Sequence, residues 1–157
     1  MTSLKLRRPD LLEHRCLIGG EWLDSAQKIE VRNPANGDLI ASVPRFGGKE
    51  VEAAISAASA AMPDWAGQTA KARAIILRRW YDLILANADD LAAIMTAEQG
   101  KPLGEARGEI LYAASFIEWF AEEAKRVYGD IIPSHDSKMR VVVVKQPIGV
   151  TAAITPW

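Results

Sequence analysis

The sequence contains few of the side chains that most often carry catalysis or bind metals. Its 157 residues include one cysteine and two histidines. A single cysteine excludes an intrachain disulfide bond and favours a reducing compartment such as the cytoplasm. Cys16 has no adjacent histidine, and His14 and His135 are far apart, so no zinc-binding spacing and no cysteine–histidine pair is recognisable. We therefore predict no metal site and no catalytic role for these three residues.

The sequence also lacks an excess of charge and long apolar runs. Its 19 basic and 20 acidic residues give a net charge of −1, which gives no reason to expect nucleic acid as a partner. No apolar run approaches the length of a membrane span, and the first 16 residues have no apolar core of a secretory signal. The glycine-rich loops of P-loop and Gly-x-Gly-x-x-Gly proteins are absent. The composition is that of an ordinary globular domain.

Turn signals dominate the first third of the chain. Gly19-Gly20 separates two short apolar pieces within residues 16–23, and the turn cluster Asn33–Asp38 separates Ile29–Val31 from Leu39–Val43. Both patterns predict β-hairpins. Residues 1–16 precede them, and we expect these residues to be a loosely held leader.

A helical period of about 3.6 residues replaces the strand period after Gly48 and predicts four helices. The first carries its apolar stripe from Val51 to Met62 and is expected to end at Pro63. The second begins near Thr69. Its predicted buried side consists of Ala70, Ala74, Leu77, Trp80, Tyr81 and Ile84.

Helix signals continue to residue 127. Asn87 is the predicted N-cap of the third helix, which Gly100 and Pro102 end. The longest helix runs from Leu103 to Val127. Its interior glycines, Gly104 and Gly108, predict close packing against another backbone.

Two apolar runs close the chain. Arg140–Gln146 contains four consecutive valines and is expected to be a paired strand, whose partner is either within the chain or in another subunit. Pro147–Trp157 reads as a buried strand that delivers its C-terminal end to a ligand crevice. A parallel strand needs a crossover and a partner, so we expect this run to belong to a larger cofactor-binding enzyme.

Several segments, in this order, resemble the N-terminal part of NAD(P)-dependent aldehyde dehydrogenases. They are Ile18–Trp22, Arg32–Gly37, Glu98–Pro102, Tyr128–Pro133, Gln146–Val150 and Ile154–Trp157. Three further segments look most like the succinate-semialdehyde branch, with glutarate-semialdehyde dehydrogenases as near neighbours. They are Arg78–Leu83, Glu105–Ile110 and Ala114–Glu123.

The resemblance implies an α/β fold made of small β-hairpins, a helical block, an oligomerisation strand and the first strand of a Rossmann-like sheet. It divides the chain into a leader (residues 1–16), the N-terminal part of a cofactor-binding domain (17–136), an oligomerisation strand (137–147) and a truncated first Rossmann-like strand (148–157). Arg140–Gln146 would join subunits into a homo-oligomer.

The resemblance also implies site residues. Ile154, Thr155, Pro156 and Trp157 would lie against the ribose and nicotinamide of NADP or NAD, in keeping with ligands that bind beyond strand ends. Tyr112 and Phe116 would line the aldehyde tunnel, although their helical spacing equally suits a plain core.

The family's catalytic residues have no counterpart in this chain. The nucleophilic cysteine, the glutamate that activates water and the asparagine of the oxyanion site would all follow Trp157. We therefore expect an N-terminal fragment that is inactive alone. The alternative is a non-catalytic protein that docks onto full-length subunits through Arg140–Gln146.

Overall fold

The structure, a computed structural model, describes residues 4–155, which form short hairpins around a helical block. The strands are β1 (Cys16–Ile18), β2 (Glu21–Leu23), β3 (Lys28–Arg32), β4 (Leu39–Pro44), β5 (Asp130–Ile132) and β6 (Val141–Val143). The helices are α1 (Gly48–Gly67), α2 (Ala70–Ala86), α3 (Ala88–Gln99) and α4 (Leu103–Glu123), and a 3₁₀ turn at Ala124–Arg126 follows α4.

The two predicted N-terminal hairpins are confirmed. β1 pairs antiparallel with β2 in the register Cys16↔Leu23, and β3 pairs with β4. Gly19 and Gly20 close the first hairpin with φ values of 62° and 88°, a conformation in which a side chain would be strained. The local turn chemistry therefore determines this part of the fold.

Helix α1 differs from its prediction at the C-terminal end. Pro63 lies inside the helix, which continues to Gly67. A proline removes one backbone donor, the one that would reach the carbonyl of Ser59. Ser59 is exposed, so water can satisfy that carbonyl and the helix does not have to stop.

Helix α4 packs against both α2 and α3 through small residues. Ala106, Ala114 and Ala121 are its buried side chains. Their size lets the neighbouring helices approach closely, which places α4 at the centre of the helical block. The helix ends at Glu123, and its 3₁₀ turn extends the helical segment almost to the predicted Val127.

Two expectations about the helix faces are wrong. Trp80 is 55% exposed instead of buried, because Ala74, Leu77, Tyr81 and Ile84 occupy the inner side of α2. A Cβ added to Gly104 or Gly108 would meet nothing within 4 Å. The close backbone packing predicted for these glycines is therefore not present in the described part of the chain.

The hairpin β3–β4 rests on α3. Ile40 and Ala41 of β4 form a small buried cluster with Ala97 of α3. Gly100 caps α3 with φ 81°, and a Cβ there would come within 3.0 Å of Pro34 Cγ in the hairpin turn. The same residue thus ends the helix and allows the turn to approach it.

The described part of the predicted leader, from Leu4 onward, is better held than expected. Leu4 and Leu12 pack on the cluster between β4 and α3, and the backbone N–H groups of Arg7 and Arg8 donate to the carboxylate of Asp90. A loose leader was predicted because these contacts join residues that are distant in sequence, by 82 and 83 positions for the bonds to Asp90, which no local pattern reveals.

The strand predicted at Arg140–Gln146 is confirmed over three of its residues, Val141–Val143, and its partner lies within the chain. β6 pairs antiparallel with β5 in the register Asp130↔Val143. Residues 144–155 form no strand, which differs from the strand expected at residues 148–157. A strand is defined by hydrogen bonds to a neighbour, and the described chain provides no neighbour for this run.

The described residues expose much more surface than a compact protein of this size. Their accessible area is 11838 Å², whereas a compact monomer of 17.2 kDa exposes about 7,800 Å². Within residues 4–155 no large side chain is less than 2% exposed, and no helix is long and apolar enough to cross a membrane. Several apolar faces are therefore uncovered.

Candidate functional site

A group of four exposed aromatic side chains lies on α4, opposite the side that packs on α2 and α3. Its members, which we call the aromatic face, are Tyr112, Phe116, Trp119 and Phe120. Tyr112 is 65% exposed and Phe116 is 48% exposed. A helix that is apolar on both sides is normally buried on both sides. The aromatic face is therefore open to a ligand or to another part of a protein.

The first two rings of the aromatic face support each other. The centroids of Tyr112 and Phe116 lie 4.9 Å apart at an interplanar angle of 81°, an edge-to-face pair. Such pairs contribute about 0.5–1.5 kcal/mol beyond the burial of their area. The pair fixes the orientation of both rings before anything binds to them.

A depression of about 430 Å³ opens over this face. Its lining consists of Tyr112, Ser115, Phe116, Glu118, Trp119 and Phe120. The hydroxyl of Ser115 donates to the carbonyl of Tyr112 at 2.7 Å, so this serine adds little free polarity. An apolar wall of this size fits a short aliphatic molecule.

The one carboxylate in the lining is already paired. Glu118 accepts a hydrogen bond from Arg78 of α2 at 2.8 Å, and the Arg78 guanidinium lies 3.5 Å from Asp82 and 4.8 Å from the centre of the Tyr81 ring. This arginine ties α2 to α4 beside the depression. The carboxylates of Glu118 and Asp82 largely neutralise its positive charge, so Arg78 is a poor anchor for an anionic ligand.

The structure thus places both residues predicted for the aldehyde tunnel in one depression. It adds Ser115, Glu118, Trp119 and Phe120, which sequence reasoning missed. Their spacing of three, six, seven and eight residues from Tyr112 is a helical signal that could have identified them.

Two of the four predicted cofactor residues, Ile154 and Thr155, end the segment 144–155, which forms no helix or strand. Ile154 is 99% exposed, and Thr155 is exposed as well; Pro156 and Trp157 lie outside the described residues. Neither Ile154 nor Thr155 contributes to the depression over the aromatic face. Earlier residues of the same segment line a separate groove of about 610 Å³ with the end of α1.

No catalytic or metal-binding constellation was found in the described part of the chain. Residues 4–155 contain no group of three or more histidine, cysteine, aspartate or glutamate side chains arranged to hold a metal ion. Cys16 is a free, partly exposed thiol in β1. The depression over the aromatic face thus offers an apolar wall, and its lining contains no cysteine or histidine.

Glu98, at the end of α3, provides a pH-dependent prediction. It borders an apolar depression with Leu91, Ile94 and Ile110. Partial burial of its carboxyl group raises the pKa of that group, although the residue as a whole is exposed. The protonated form therefore stabilises the fold below the unfolded-state pKa, and this contribution is lost as the pH rises through the raised pKa. We expect Glu98→Gln to stabilise the chain at pH 7 by less than about 1 kcal/mol, because solvent screens so exposed a group.

Thermal melts of Glu98→Gln and the unchanged chain at pH 7 and below about pH 4 test this expectation. The gain should vanish at the lower pH, where the natural side chain is itself protonated. Glu52→Gln, at an exposed position of α1, controls for the change in net charge. An equal gain at both pH values would contradict the burial effect.

Comparison with known proteins places these features in context. A sequence profile of the aldehyde dehydrogenase family matches residues 22–157. The chain is 60% identical over 156 residues to succinate-semialdehyde dehydrogenase (NADP⁺) of Escherichia coli strain K12, a match that covers 98% of this chain and 32% of that protein. It is 58% identical to glutarate-semialdehyde dehydrogenase of Pseudomonas putida, with the same coverage.

Structural comparison gives the same result. The chain superposes on the crystal structure of an NADP-dependent enzyme of E. coli with a TM-score of 0.95 and 60% identity, covering 98% of this chain and 32% of that one. The chain thus spans about a third of the length of the curated relatives it matches. Over that third, the hairpins, the helical block and the extended segment have the same arrangement.

Proposed function

Because the chain belongs to the aldehyde dehydrogenase family, we propose that it supplies the N-terminal third of an NAD(P)-dependent dehydrogenase that oxidises succinate semialdehyde to its acid. Support comes from relatives at 56–60% identity, which act on succinate or glutarate semialdehyde. Glutarate semialdehyde, one methylene longer, is the alternative substrate, because a methylene in an apolar passage changes binding by only about 1–3 kcal/mol.

The observation that carries this proposal is the aromatic face. In the proposed enzyme, Tyr112 and Phe116 contact the methylene groups of the semialdehyde and form one wall of its tunnel. Their edge-to-face packing fixes the wall in advance, so little side-chain entropy is lost on binding. The substrate carboxylate needs a positive partner from elsewhere, since Arg78 is held by Glu118 and Asp82.

The cofactor contact is assigned to Ile154 and Thr155, together with Pro156 and Trp157. Thr155 offers a hydroxyl and Ile154 an exposed apolar side chain, which fit the ribose and the nicotinamide face respectively. Bound NADP or NAD would accept a hydride from the aldehyde carbon. The residues of this chain would position that part of the cofactor, and the nucleophile, the general base and the oxyanion donor would come from outside it.

The remaining assignments are also part of the proposal. Arg140–Gln146 joins subunits of a homo-oligomer, and the enzyme works in the cytoplasm, as the single cysteine favours. The substrate is a small aldehyde, with neither nucleic acid nor a membrane as partner.

A second candidate function rests on β6. In the described chain β6 pairs on one edge only, and Val142 and Val144 are largely exposed. A strand with a free apolar edge can add to the sheet of another protein. In this alternative the 157-residue chain is non-catalytic and docks onto intact dehydrogenase subunits through Arg140–Gln146.

A chimera tests the first candidate. The matched third of the E. coli succinate-semialdehyde dehydrogenase is replaced by this chain, and NADP reduction is followed with succinate and glutarate semialdehydes. We expect turnover of both, with the higher kcat/KM for succinate semialdehyde. The chain alone, which lacks the nucleophile, should give none. A soluble chimera that oxidises neither substrate would reject the proposed function, as would turnover by the chain alone.

A further inference from the structure

The first described residues make a set of contacts that the proposed function does not use. Residues 4–12, which we call the clasp segment, cross the start of α3 and reach the hairpin β3–β4. The segment is tied by polar contacts in its middle and by apolar contacts at its two ends.

The hydrogen bonds from the backbone of the clasp segment to α3 converge on one buried carboxylate. Asp90 is only 7% exposed, and its two oxygens accept separate hydrogen bonds. Oδ1 accepts from the backbone N–H of Arg7 at 3.1 Å, and Oδ2 accepts from the backbone N–H of Arg8 at 2.8 Å. Hydrogen bonds to an ionised acceptor are roughly twice as strong as neutral ones. One side chain of α3 thus fixes two successive peptide units of the clasp segment.

The apolar contacts lie on the boundary between two elements. Leu4 and Leu12 pack on the cluster formed by Ile40 and Ala41 of β4 and Ala97 of α3. The two leucines therefore lie against a cluster to which both the hairpin and the helix contribute. Apart from this cluster, the hairpin approaches α3 at the contact between Pro34 and Gly100.

From this arrangement we propose that the clasp segment holds the hairpin β3–β4 on α3 and that the Asp90 carboxylate is the latch that closes it. The segment and the hairpin open together as one unit, separately from the helical block of α2 and α4. Local unfolding of this kind follows contiguous structural units, and units with few buried contacts open first.

The latch is distinguishable from the general effect of a charge at a helix start. Asp89 and Asp90 both lie in the first turn of α3 and complement its dipole equally. Asp89 is exposed, however. It accepts a hydrogen bond from the Arg107 side chain, and it meets the clasp segment through a solvent-exposed ion pair of 4.0 Å with the Arg7 guanidinium, a kind of pair that contributes about 0–1 kcal/mol. Asp89→Asn is therefore the matched control for Asp90→Asn, because it removes a charge from the same helix turn and leaves both backbone hydrogen bonds in place. In the latter variant an amide NH₂ would face a backbone donor, and at least one of the two bonds would be lost.

Amide hydrogen exchange of the full chain, followed by NMR, tests the proposal. In Asp90→Asn we expect the amides of Arg7, Arg8 and the β3–β4 ladder to exchange at least about tenfold faster than in Asp89→Asn. Amides in the interior of α4 should be unchanged. Trypsin should also cut the Arg7–Arg8 bond faster in Asp90→Asn than in Asp89→Asn. When Asp90 holds these peptide units, they cannot adopt the extended conformation that the protease needs.

Each outcome of the exchange experiment either supports the proposal or overturns it. Equal exchange in the two variants would overturn the latch, and faster exchange in the clasp segment alone would overturn its hold on the hairpin. If Asp90→Asn also loosens α4, Leu4→Ser decides, because it weakens the segment without changing a residue of α3. Loss of protection confined to the clasp segment and the hairpin would then support the proposal, and any other pattern would refute it.

Discussion

Replacing Tyr112 by alanine in the chimera is expected to lower kcat/KM for succinate semialdehyde by about 10- to 100-fold. Full burial of an aromatic side chain contributes about 1.5–3 kcal/mol, and each 1.4 kcal/mol corresponds to about a factor of ten. Tyr112 is 65% exposed in the described chain, so most of its ring is available to a ligand. The loss should lie mainly in KM, because a wall contact is made equally in the ground and transition states.

Phe116→Ala should act in the same direction with a smaller effect. Phe116 both contributes surface and supports the Tyr112 ring edge-to-face, so the double variant should lose less than the sum of the single losses. Trp80→Ala is the matched control, since Trp80 is a similarly exposed aromatic residue on α2 away from the depression. Steady-state kinetics that show equal losses at Trp80 and Tyr112 would reject the wall.

Gly129→Ala is expected to abolish the pairing of β5 with β6. A Cβ at Gly129 would overlap the backbone carbonyl oxygen of Val143, and a backbone atom cannot move aside as a flexible side chain can. Overpacking costs about 1–3 kcal/mol where side chains can adjust. In Gly129→Ala the overlap is with the backbone, so the pairing register Asp130↔Val143 itself must shift. The amides of Val141–Val143 should therefore lose their exchange protection.

Gly108→Ala is the matched control for this substitution. A Cβ at Gly108 meets nothing within 4 Å, and alanine is better than glycine in a helix by about 1 kcal/mol. The same change from glycine to alanine should thus stabilise α4 at Gly108 and disrupt the β5–β6 hairpin at Gly129. Unchanged protection of Val141–Val143 in Gly129→Ala would show that the hairpin is not packed as described. If the chain docks through Arg140–Gln146, only Gly129→Ala should weaken capture by an intact dehydrogenase.

The sequence patterns predicted best the features that local chemistry determines. Gly19-Gly20 requires a tight turn whatever surrounds it, and Gly100 with Pro102 ends a helix by backbone geometry alone. The family resemblance, which rests on several such segments in order, was confirmed by the profile match to residues 22–157. Tyr112 and Phe116 were chosen from that resemblance and share one depression.

Features that depend on contacts distant in sequence were predicted less well. The period of α2 shows which residues are apolar but cannot show that Trp80 lies on the outer of two apolar sides. The bonds from Arg7 and Arg8 to Asp90 span more than eighty residues. The run at residues 148–157 has strand propensity, yet propensity forms no ladder without a neighbouring strand, and its strand assignment remains a prediction for the longer enzyme.

The most direct test of the aromatic face is a crystal structure of the chimera with succinate semialdehyde, or the succinate product, bound. The proposed wall predicts that ring carbons of Tyr112 and Phe116 lie within about 4 Å of the ligand's methylene carbons. It also predicts that Arg78 stays paired with Glu118 and does not reach the ligand carboxylate. A ligand bound in the active site without any contact to α4 would contradict the assignment.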